Sequence, residues 1–347
     1  MIKRRRLLTA LAAAMVTAAP AAATVLAAPG DVLLTPPTGT AGWLADRRHL
    51  PDPSSADPVA VSGFLTAAGE AEQRDLVTAY PGVVGALDGA PPALRYEANR
   101  RAMQAAGAPY DQQAGQFLLF DPRGDGLVAQ VFGDLSTADR IAVLVPGVST
   151  RAVDFWTGLG GRRYRSLAVQ ASDLYRSAGS DRFAVIAWLG YDTPDGLGLA
   201  AVREDVARAG AVALERFVAG LTIIRPHATL ALLGHSYGST VIGLAASRLP
   251  WQVTDIAVYG SPGMGVVSAA GLGTSARVWA GQSEHDWIRW VPGVRIFGLG
   301  HGTKPADPSF GARVFSTADV TDHDHYLSPG TDSQANLTRI ALDGEAK

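Results

Sequence analysis

The 347-residue chain contains no cysteine. This absence excludes disulfide bonds, thiolate metal sites and a cysteine nucleophile. Charged residues are also scarce, at 18% of the chain, and the formal net charge is −2 at pH 7. A chain with no basic surplus lacks the charge pattern of a nucleic-acid-binding protein, so no nucleic-acid partner is expected. Hydrophobic residues, by contrast, make up 47% of the chain, which is enough to bury a core and excludes a disordered protein.

The first 28 residues have the pattern of an export signal. Lys3–Arg6 is basic, and Leu7–Ala19 is an apolar run too short for a comfortable membrane span. The small residues of Ala21–Ala23 and of Val25–Ala27 both fit a cleavage site. We therefore expect a Sec or twin-arginine signal peptide over residues 1–28, with an uncleaved anchor as the alternative. The mature protein is expected to be secreted or held in the cell envelope, with no stable membrane anchor.

The segment 29–110 is predicted to be a flexible lead-in followed by a helical preamble. Residues 29–58 are rich in Pro, Gly, Asp and Ser, which is typical of a mobile or surface segment. Residues 59–79 carry a helical pattern that Tyr80–Gly82 breaks, and a second helix is predicted from Pro92 to Ala105. We expect these helices to pack on the main domain.

The segment 111–347 alternates between strand and helix patterns. Gln116–Phe120 and Leu127–Phe132 flank a turn and predict a β-hairpin. Strands are then predicted at Ile141–Val145, Phe183–Leu189, Ala228–Leu233, Ile256–Tyr259, Ala276–Ala280 and Arg313–Ser316, and helices at Arg162–Ala178, Val202–Leu221, Tyr237–Arg248 and Ser333–Leu342. This order predicts an α/β fold with a mostly parallel sheet and helices on both faces.

The segment Gly234–Gly238 is the most informative one. It reads G-x-S-x-G, a predicted strand runs into it, and a predicted helix leaves it. This context is typical of a nucleophile elbow, a strained turn that lifts the Ser236 hydroxyl above the sheet edge. An ordinary glycine-rich turn is the alternative. Two backbone amides are expected to form an oxyanion hole, those of Tyr237 and of Val148 in the loop after the first parallel strand.

A serine nucleophile needs a base and an acid to orient that base. In folds with this elbow the acid and then the histidine follow the serine in the chain. Asp286, after the strand Ala276–Ala280, is the predicted acid, with Glu284 as the alternative. The predicted base is His323 or His325; two further histidines, His285 and His301, also follow Ser236.

Two other roles are open to the histidines. Asp322, His323, Asp324 and His325 together offer ligands that suit a metal ion, although no partner histidine motif occurs elsewhere in the chain. We expect neither a metal nor a cofactor. His235, beside the nucleophile, is expected to support the site rather than to react.

Several of these segments together resemble a family of bacterial alpha/beta hydrolases to which no function is assigned. The shared motifs are VPG at Val145–Gly147, WLGYD-P at Trp188–Pro194, GHSYGS at Gly234–Ser239 and H-x-x-Y at His323–Tyr326. The resemblance covers roughly residues 75–345. It implies an alpha/beta-hydrolase fold and favours His323 over His325 as the base. Asp192 would then lie near the active-site crevice, with a simple turn position as the alternative.

These observations predict a secreted serine hydrolase that cleaves an ester, thioester or amide of a small molecule or lipid. The predicted triad is Ser236, Asp286 and His323, acting through an acyl-enzyme. A non-catalytic binding or envelope protein of the same fold is one alternative, and a peroxidase-like or lyase activity is another. The tryptophan-rich segment 285–291 is expected to form either an apolar wall on the acyl side or part of the core.

Overall fold

The computed structural model describes residues 35–196, 205–291, 293, 295–296 and 299–346. The predicted signal peptide, residues 1–28, lies outside the described residues. The same is true of the predicted beginning of the helix at Val202.

Eight strands of the described chain form one sheet: β1 (Gln116–Asp121), β2 (Leu127–Phe132), β3 (Arg140–Val145), β4 (Phe183–Leu189), β5 (Thr229–His235), β6 (Val253–Tyr259), β7 (Arg277–Gly281) and β10 (Arg313–Val314). Their order in the sheet is β1-β2-β4-β3-β5-β6-β7-β10. β1 and β2 pair antiparallel, as do β2 and β4, and all other neighbours are parallel. Two further short strands, β8 (Arg295–Ile296) and β9 (Leu299–Gly300), pair only with each other.

The helices of the described chain are α1 (Thr40–Leu44), α2 (Pro58–Ala67), α3 (Glu70–Ala79), α4 (Pro81–Ala86), α5 (Pro92–Ala106), α6 (Leu167–Ala178), α7 (Asp205–Ile224), α8 (Gly238–Ala245) and α9 (Asp332–Asp343). Helices cover both faces of the sheet. Ile141 and Val143 of β3 share one hydrophobic cluster with residues of α7 and α8. Ala142 and Leu144 share another with residues of α6 and α9. Since successive side chains of a strand point to opposite faces, the covered part of a strand must be apolar on both sides, as all of β4 and residues 141–145 of β3 are. The predicted α/β fold is therefore confirmed.

The segment that precedes the sheet differs from its prediction. Part of the predicted flexible lead-in, from residue 35 onward, belongs to a packed helical unit. Trp43 of α1 is fully buried in a cluster with residues of α2 to α5, and its indole N–H donates to the Pro51 carbonyl at 2.7 Å. The proline and glycine content of this segment indicated mobility. Composition does not reveal that a single aromatic residue, Trp43, is buried in a hydrophobic cluster.

The predicted helix over 59–79 is two helices, α2 and α3, which meet at Ala68 and Gly69. α3 ends at Ala79, as the predicted break at Tyr80–Gly82 requires, and Pro81 begins the next helix, α4, where its missing N–H has no intrahelical partner to lose.

The preamble is joined to the sheet by buried polar contacts. The Asn99 side-chain amide of α5 donates to the carbonyl of Phe117 in β1 at 2.7 Å. Arg95 is 1% exposed, pairs with Asp88 and lies over the Phe217 ring of α7. The described residues form one compact unit. Within the described residues, no helix is long and apolar enough to span a membrane.

Candidate active site

Ser236 lies in the tight turn between β5 and α8. Its φ angle is 52°, a left-handed conformation that is uncommon for a residue with a side chain. Its amide donates to the Tyr259 carbonyl of the neighbouring strand β6 at 3.0 Å, which holds the turn against the sheet. A Cβ at Gly238 would lie 2.4 Å from the Val145 carbonyl oxygen, so the beginning of α8 can approach β3 this closely only with glycine there. Ser236 thus lies in a tight turn that leads directly from a strand into a helix.

The His323 imidazole bridges Ser236 and Asp286. Its Nε2 lies 2.9 Å from the Ser236 Oγ, and its Nδ1 lies 2.9 Å from each carboxylate oxygen of Asp286. All three residues are nearly buried: Ser236 is 5% exposed, His323 8% and Asp286 0%. Since an ionised carboxylate can only accept, Nδ1 carries the proton and Nε2 accepts from the serine hydroxyl. The structure thus brings together the serine, the acid and the histidine that the sequence singled out.

The buried carboxylate of Asp286 is held by three donors. Besides His323, the Ile288 amide donates to Oδ1 at 2.8 Å and the Tyr326 hydroxyl donates to Oδ2 at 2.7 Å. Burial alone would raise the pKa of Asp286, but the hydrogen bond and charge of His323, with the two other donors, outweigh burial and hold that pKa below its ordinary value. Asp286 is therefore ionised at neutral pH and orients the imidazole.

The competing acid and base candidates lie elsewhere. Glu284 is exposed, and its carbonyl accepts from Arg289. His325 pairs with Asp322 at 2.7 Å and stacks on the Tyr164 ring at 4.1 Å between centroids. Neither residue contacts the bridge between Ser236 and Asp286.

The two remaining histidine candidates do not join the bridge either. His285 is exposed. His301 bonds through Nδ1 to the Thr240 hydroxyl at 3.2 Å and lies edge-on to the Tyr237 ring.

The four residues of the possible metal site belong to three separate contacts. His323 faces the serine, Asp322 pairs with His325, and Asp324 pairs with Arg165. In the part of the chain that the structure describes, no group of three or more histidine and acidic side chains is arranged to hold a metal ion.

The loop that carries Val148 lies against the serine. A Cβ at Gly147 would lie 2.8 Å from the Ser236 Cβ and 3.3 Å from its Oγ, so the loop backbone passes beside the hydroxyl where only glycine fits. Tyr237, which carries the other predicted amide, directly precedes α8. Both predicted oxyanion donors therefore belong to backbone segments that flank Ser236.

The WLGYD-P motif holds this loop in place. The Tyr191 hydroxyl donates to the Pro146 carbonyl at 2.7 Å. Thr193 accepts from the Thr150 amide at 3.1 Å and donates to the Thr150 carbonyl at 3.0 Å. Asp192 itself is exposed and lies in the turn that carries these groups. The motif thus acts through its tyrosine and threonine, which sequence reasoning did not single out.

His235 supports the backbone of the loop that carries His323, here called the histidine loop. Its Nε2 lies 2.8 Å from the His323 carbonyl oxygen and donates to it, and its ring stacks on Tyr259. Burial, reinforced by the neighbouring His323, lowers the pKa of His235 to about 4. A neutral His235 suits this arrangement, since a second cation beside His323 would oppose protonation of the base.

Sequence reasoning missed two further residues of the site, Tyr326 and Arg165. Tyr326 contacts Asp286, as described above, and accepts from the Ser283 amide at 2.9 Å. Arg165 donates through Nε to Asp324 at 2.8 Å and so ties the histidine loop to the segment before α6. The H-x-x-Y motif was a signal for the tyrosine. Nothing local to the sequence pairs an arginine with an aspartate 159 positions away.

Comparisons with known proteins agree with this architecture. A sequence profile described as "Alpha/beta hydrolase" matches residues 121–296. An uncharacterised Mycobacterium tuberculosis protein is 37% identical over 163 residues, which are 44% of this chain and 58% of that protein. A second one from the same species is 30% identical over 253 residues, 64% of this chain and 38% of that protein. The chain therefore spans little more than half the length of the first of these relatives.

The chain is also similar to two solved structures. A serine hydrolase without a lid from Xanthomonas campestris has a TM-score of 0.41 at 15% identity, over 67% of this chain and 92% of that one. A hydrolase from Thermoplasma acidophilum has a TM-score of 0.42 at 14% identity, over 66% of this chain and 96% of that one. The profile match covers half of the chain, so the chain belongs to the alpha/beta hydrolases, and the family resemblance stated from its motifs is confirmed.

Proposed function

We propose that this protein is a serine hydrolase that cleaves a carboxylic ester, or a thioester or amide, through an acyl-enzyme. The observation that carries the proposal is the bridging imidazole of His323, with Ser236 on one ring nitrogen and the buried Asp286 carboxylate on the other. A serine hydroxyl is a weak nucleophile until a positioned base removes its proton, and this arrangement supplies that base.

In the proposed reaction the Ser236 Oγ attacks the carbonyl carbon while its proton moves to the His323 Nε2. The imidazolium that forms is stabilised by the ionised Asp286, which is already desolvated and fixed by its other donors. The protonated Nε2 then gives its proton to the leaving group as the bond to the acyl carbon breaks. Water, activated by the same imidazole, hydrolyses the acyl-enzyme. The residues named and water complete this cycle without a cofactor.

We further propose that the amides of Val148 and Tyr237 stabilise the oxyanion. The close approach of Gly147 to Ser236 brings the first segment to the reacting centre. The position of Tyr237 before α8 lets the partial positive charge of the helix beginning favour the developing negative charge. Both donors come from backbone, so their positions depend on the fold rather than on a side-chain rotamer.

Hydrolysis of 4-nitrophenyl acetate by matched variants tests the proposal. His323→Ala is expected to lower kcat by about 10⁴-fold or more, as removal of a triad base does, and Ser236→Ala by a similar factor. His325→Ala is the matched control: the residue is two positions away, pairs with Asp322 and is expected to leave kcat within about twofold. Loss of turnover in His325→Ala with retention in His323→Ala would reverse the assignment. A parent protein that turns over no ester, thioester or amide would favour the non-catalytic alternative.

We also propose export of the protein, from the pattern of residues 1–28. Expression in a host with active Sec and twin-arginine pathways, followed by intact-mass measurement of the extracellular protein, is expected to show cleavage after Ala23 or Ala27. Cell-bound protein of full mass would contradict this proposal. It would leave the catalytic one unchanged.

A further inference from the structure

Trp287 packs against the imidazole of His323. The centroids of the two rings lie 4.8 Å apart, and their planes are tilted by 48°. The indole is partly exposed, whereas the imidazole is nearly buried. Trp287 therefore covers one side of the proposed base and presents apolar surface to any group that lies next to it.

The position of the indole is fixed by the site itself. Trp287 begins a short 3₁₀ turn, Trp287–Trp290, and the Asp286 carboxylate caps this turn by accepting from the Ile288 amide at 2.8 Å. Ile288 is 3% exposed and anchors the turn in the interior. The same carboxylate thus orients His323 and fixes the backbone that carries the indole.

The stereochemistry of acyl transfer says which part of a substrate meets this surface. In the tetrahedral intermediate the oxyanion points to the proposed backbone donors, the amides of Val148 and Tyr237, and Gly147 brings the loop of Val148 beside the Ser236 Oγ. The leaving group has to lie within hydrogen-bond reach of the His323 Nε2, because it receives its proton there. His235 contacts the same imidazole but stacks on Tyr259 of β6, so Trp287 is the contact that we place beside the leaving group rather than beside the acyl chain.

From this geometry we infer that Trp287 is a specificity-determining wall for the leaving group, and that the protein prefers esters of aromatic or extended apolar alcohols. The inference rests on the proposed function and names the substrate class of the same site. It also places Trp287 on the leaving-group side, whereas the sequence led us to expect the tryptophan-rich segment 285–291 either on the acyl side or in the core.

Methyl acetate and benzyl acetate release alcohols of similar acidity, so their intrinsic reactivities are similar. A difference in kcat/KM between the two esters therefore reports contact of the alcohol group with Trp287. Acid release is followed in a pH-stat, so that detection does not depend on the alcohol. Trp287→Ala is expected to lower the ratio of kcat/KM for benzyl over methyl acetate by about tenfold or more, since an apolar contact surface discriminates by this order. Trp287→Phe, which keeps an aromatic ring, is expected to retain most of the ratio.

The matched control is Trp290→Ala, on the same turn but 62% exposed, which is expected to leave the ratio unchanged. Methyl hexanoate compared with methyl acetate reports the acyl side, and Trp287→Ala is expected to leave that ratio unchanged too. Equal losses on both acetates in Trp287→Ala, or a change confined to the acyl pair, would overturn the inference while leaving the hydrolase proposal standing. Absence of Ser236-dependent turnover of every ester would overturn both.

Discussion

Replacement of Tyr326 by phenylalanine removes the hydroxyl that contacts the Asp286 carboxylate of the candidate triad. In the structure that hydroxyl donates to the Asp286 Oδ2 at 2.7 Å and accepts from the Ser283 amide at 2.9 Å. The first bond reaches a charged acceptor and contributes about 1.5–3 kcal/mol, and a buried amide left without an acceptor costs about 1–3 kcal/mol. We therefore expect Tyr326→Phe to lower the free energy of unfolding by about 3 kcal/mol.

Urea unfolding followed by circular dichroism measures this loss, and the m-value should stay unchanged because the substitution alters no large surface. Tyr175→Phe is the control: among the described residues the Tyr175 hydroxyl has no hydrogen-bond partner, so its loss should change stability by less than about 0.5 kcal/mol. A loss below about 1 kcal/mol in Tyr326→Phe would refute the reasoning, because the carboxylate would then not depend on the phenol.

Three further outcomes follow from the same structure. Gly147→Ala should lower kcat/KM for an ester by about a hundredfold, because its Cβ would lie 2.8 Å from the Ser236 Cβ and displace the loop; activity close to that of the parent would contradict the close approach. Because folding lowers the pKa of His235 from 6.5 to about 4, the unfolded state binds more protons between these values, so stability should fall by up to about 3 kcal/mol as the pH drops from 6.5 to 4. His235→Gln keeps an N–H donor, so urea titrations across that range should show a flatter slope, and an unchanged slope would exclude His235 as the cause. Trp43→Ala should cost about 3–5 kcal/mol in thermal or urea unfolding, and a loss below about 1 kcal/mol would show that the helical preamble is not part of the folded core.

The central sheet and the elbow were predictable because their physical requirements are local. Strands covered on both faces have to be apolar where they are covered, which marks β4 and residues 141–145 of β3 in the sequence. The elbow needs small residues around Ser236 at fixed positions between a strand and a helix. Each of these strands, like the elbow, is marked by a few consecutive residues, so its prediction needs no knowledge of contacts between distant residues.

Local pattern gave a preference for Asp286 over Glu284 and left His323 and His325 equal, and only the family resemblance of the H-x-x-Y motif favoured His323. His323 and His325 lie two positions apart in one loop, and only the fold directs the first to the serine and the second onto Tyr164. Glu284 and Asp286 differ in the same way, since the direction of a loop side chain depends on what the loop packs against. The role of Trp43 likewise depends on the helices that surround it.

Covalent labelling tests the central claim most directly. The protein is treated with a fluorophosphonate, which reacts with activated serines, and the adduct is located by peptide mass spectrometry. We expect one adduct, on Ser236, formed far more slowly in His323→Ala and at the parent rate in His325→Ala. An adduct on another residue, or undiminished labelling of Ser236→Ala, would contradict the account.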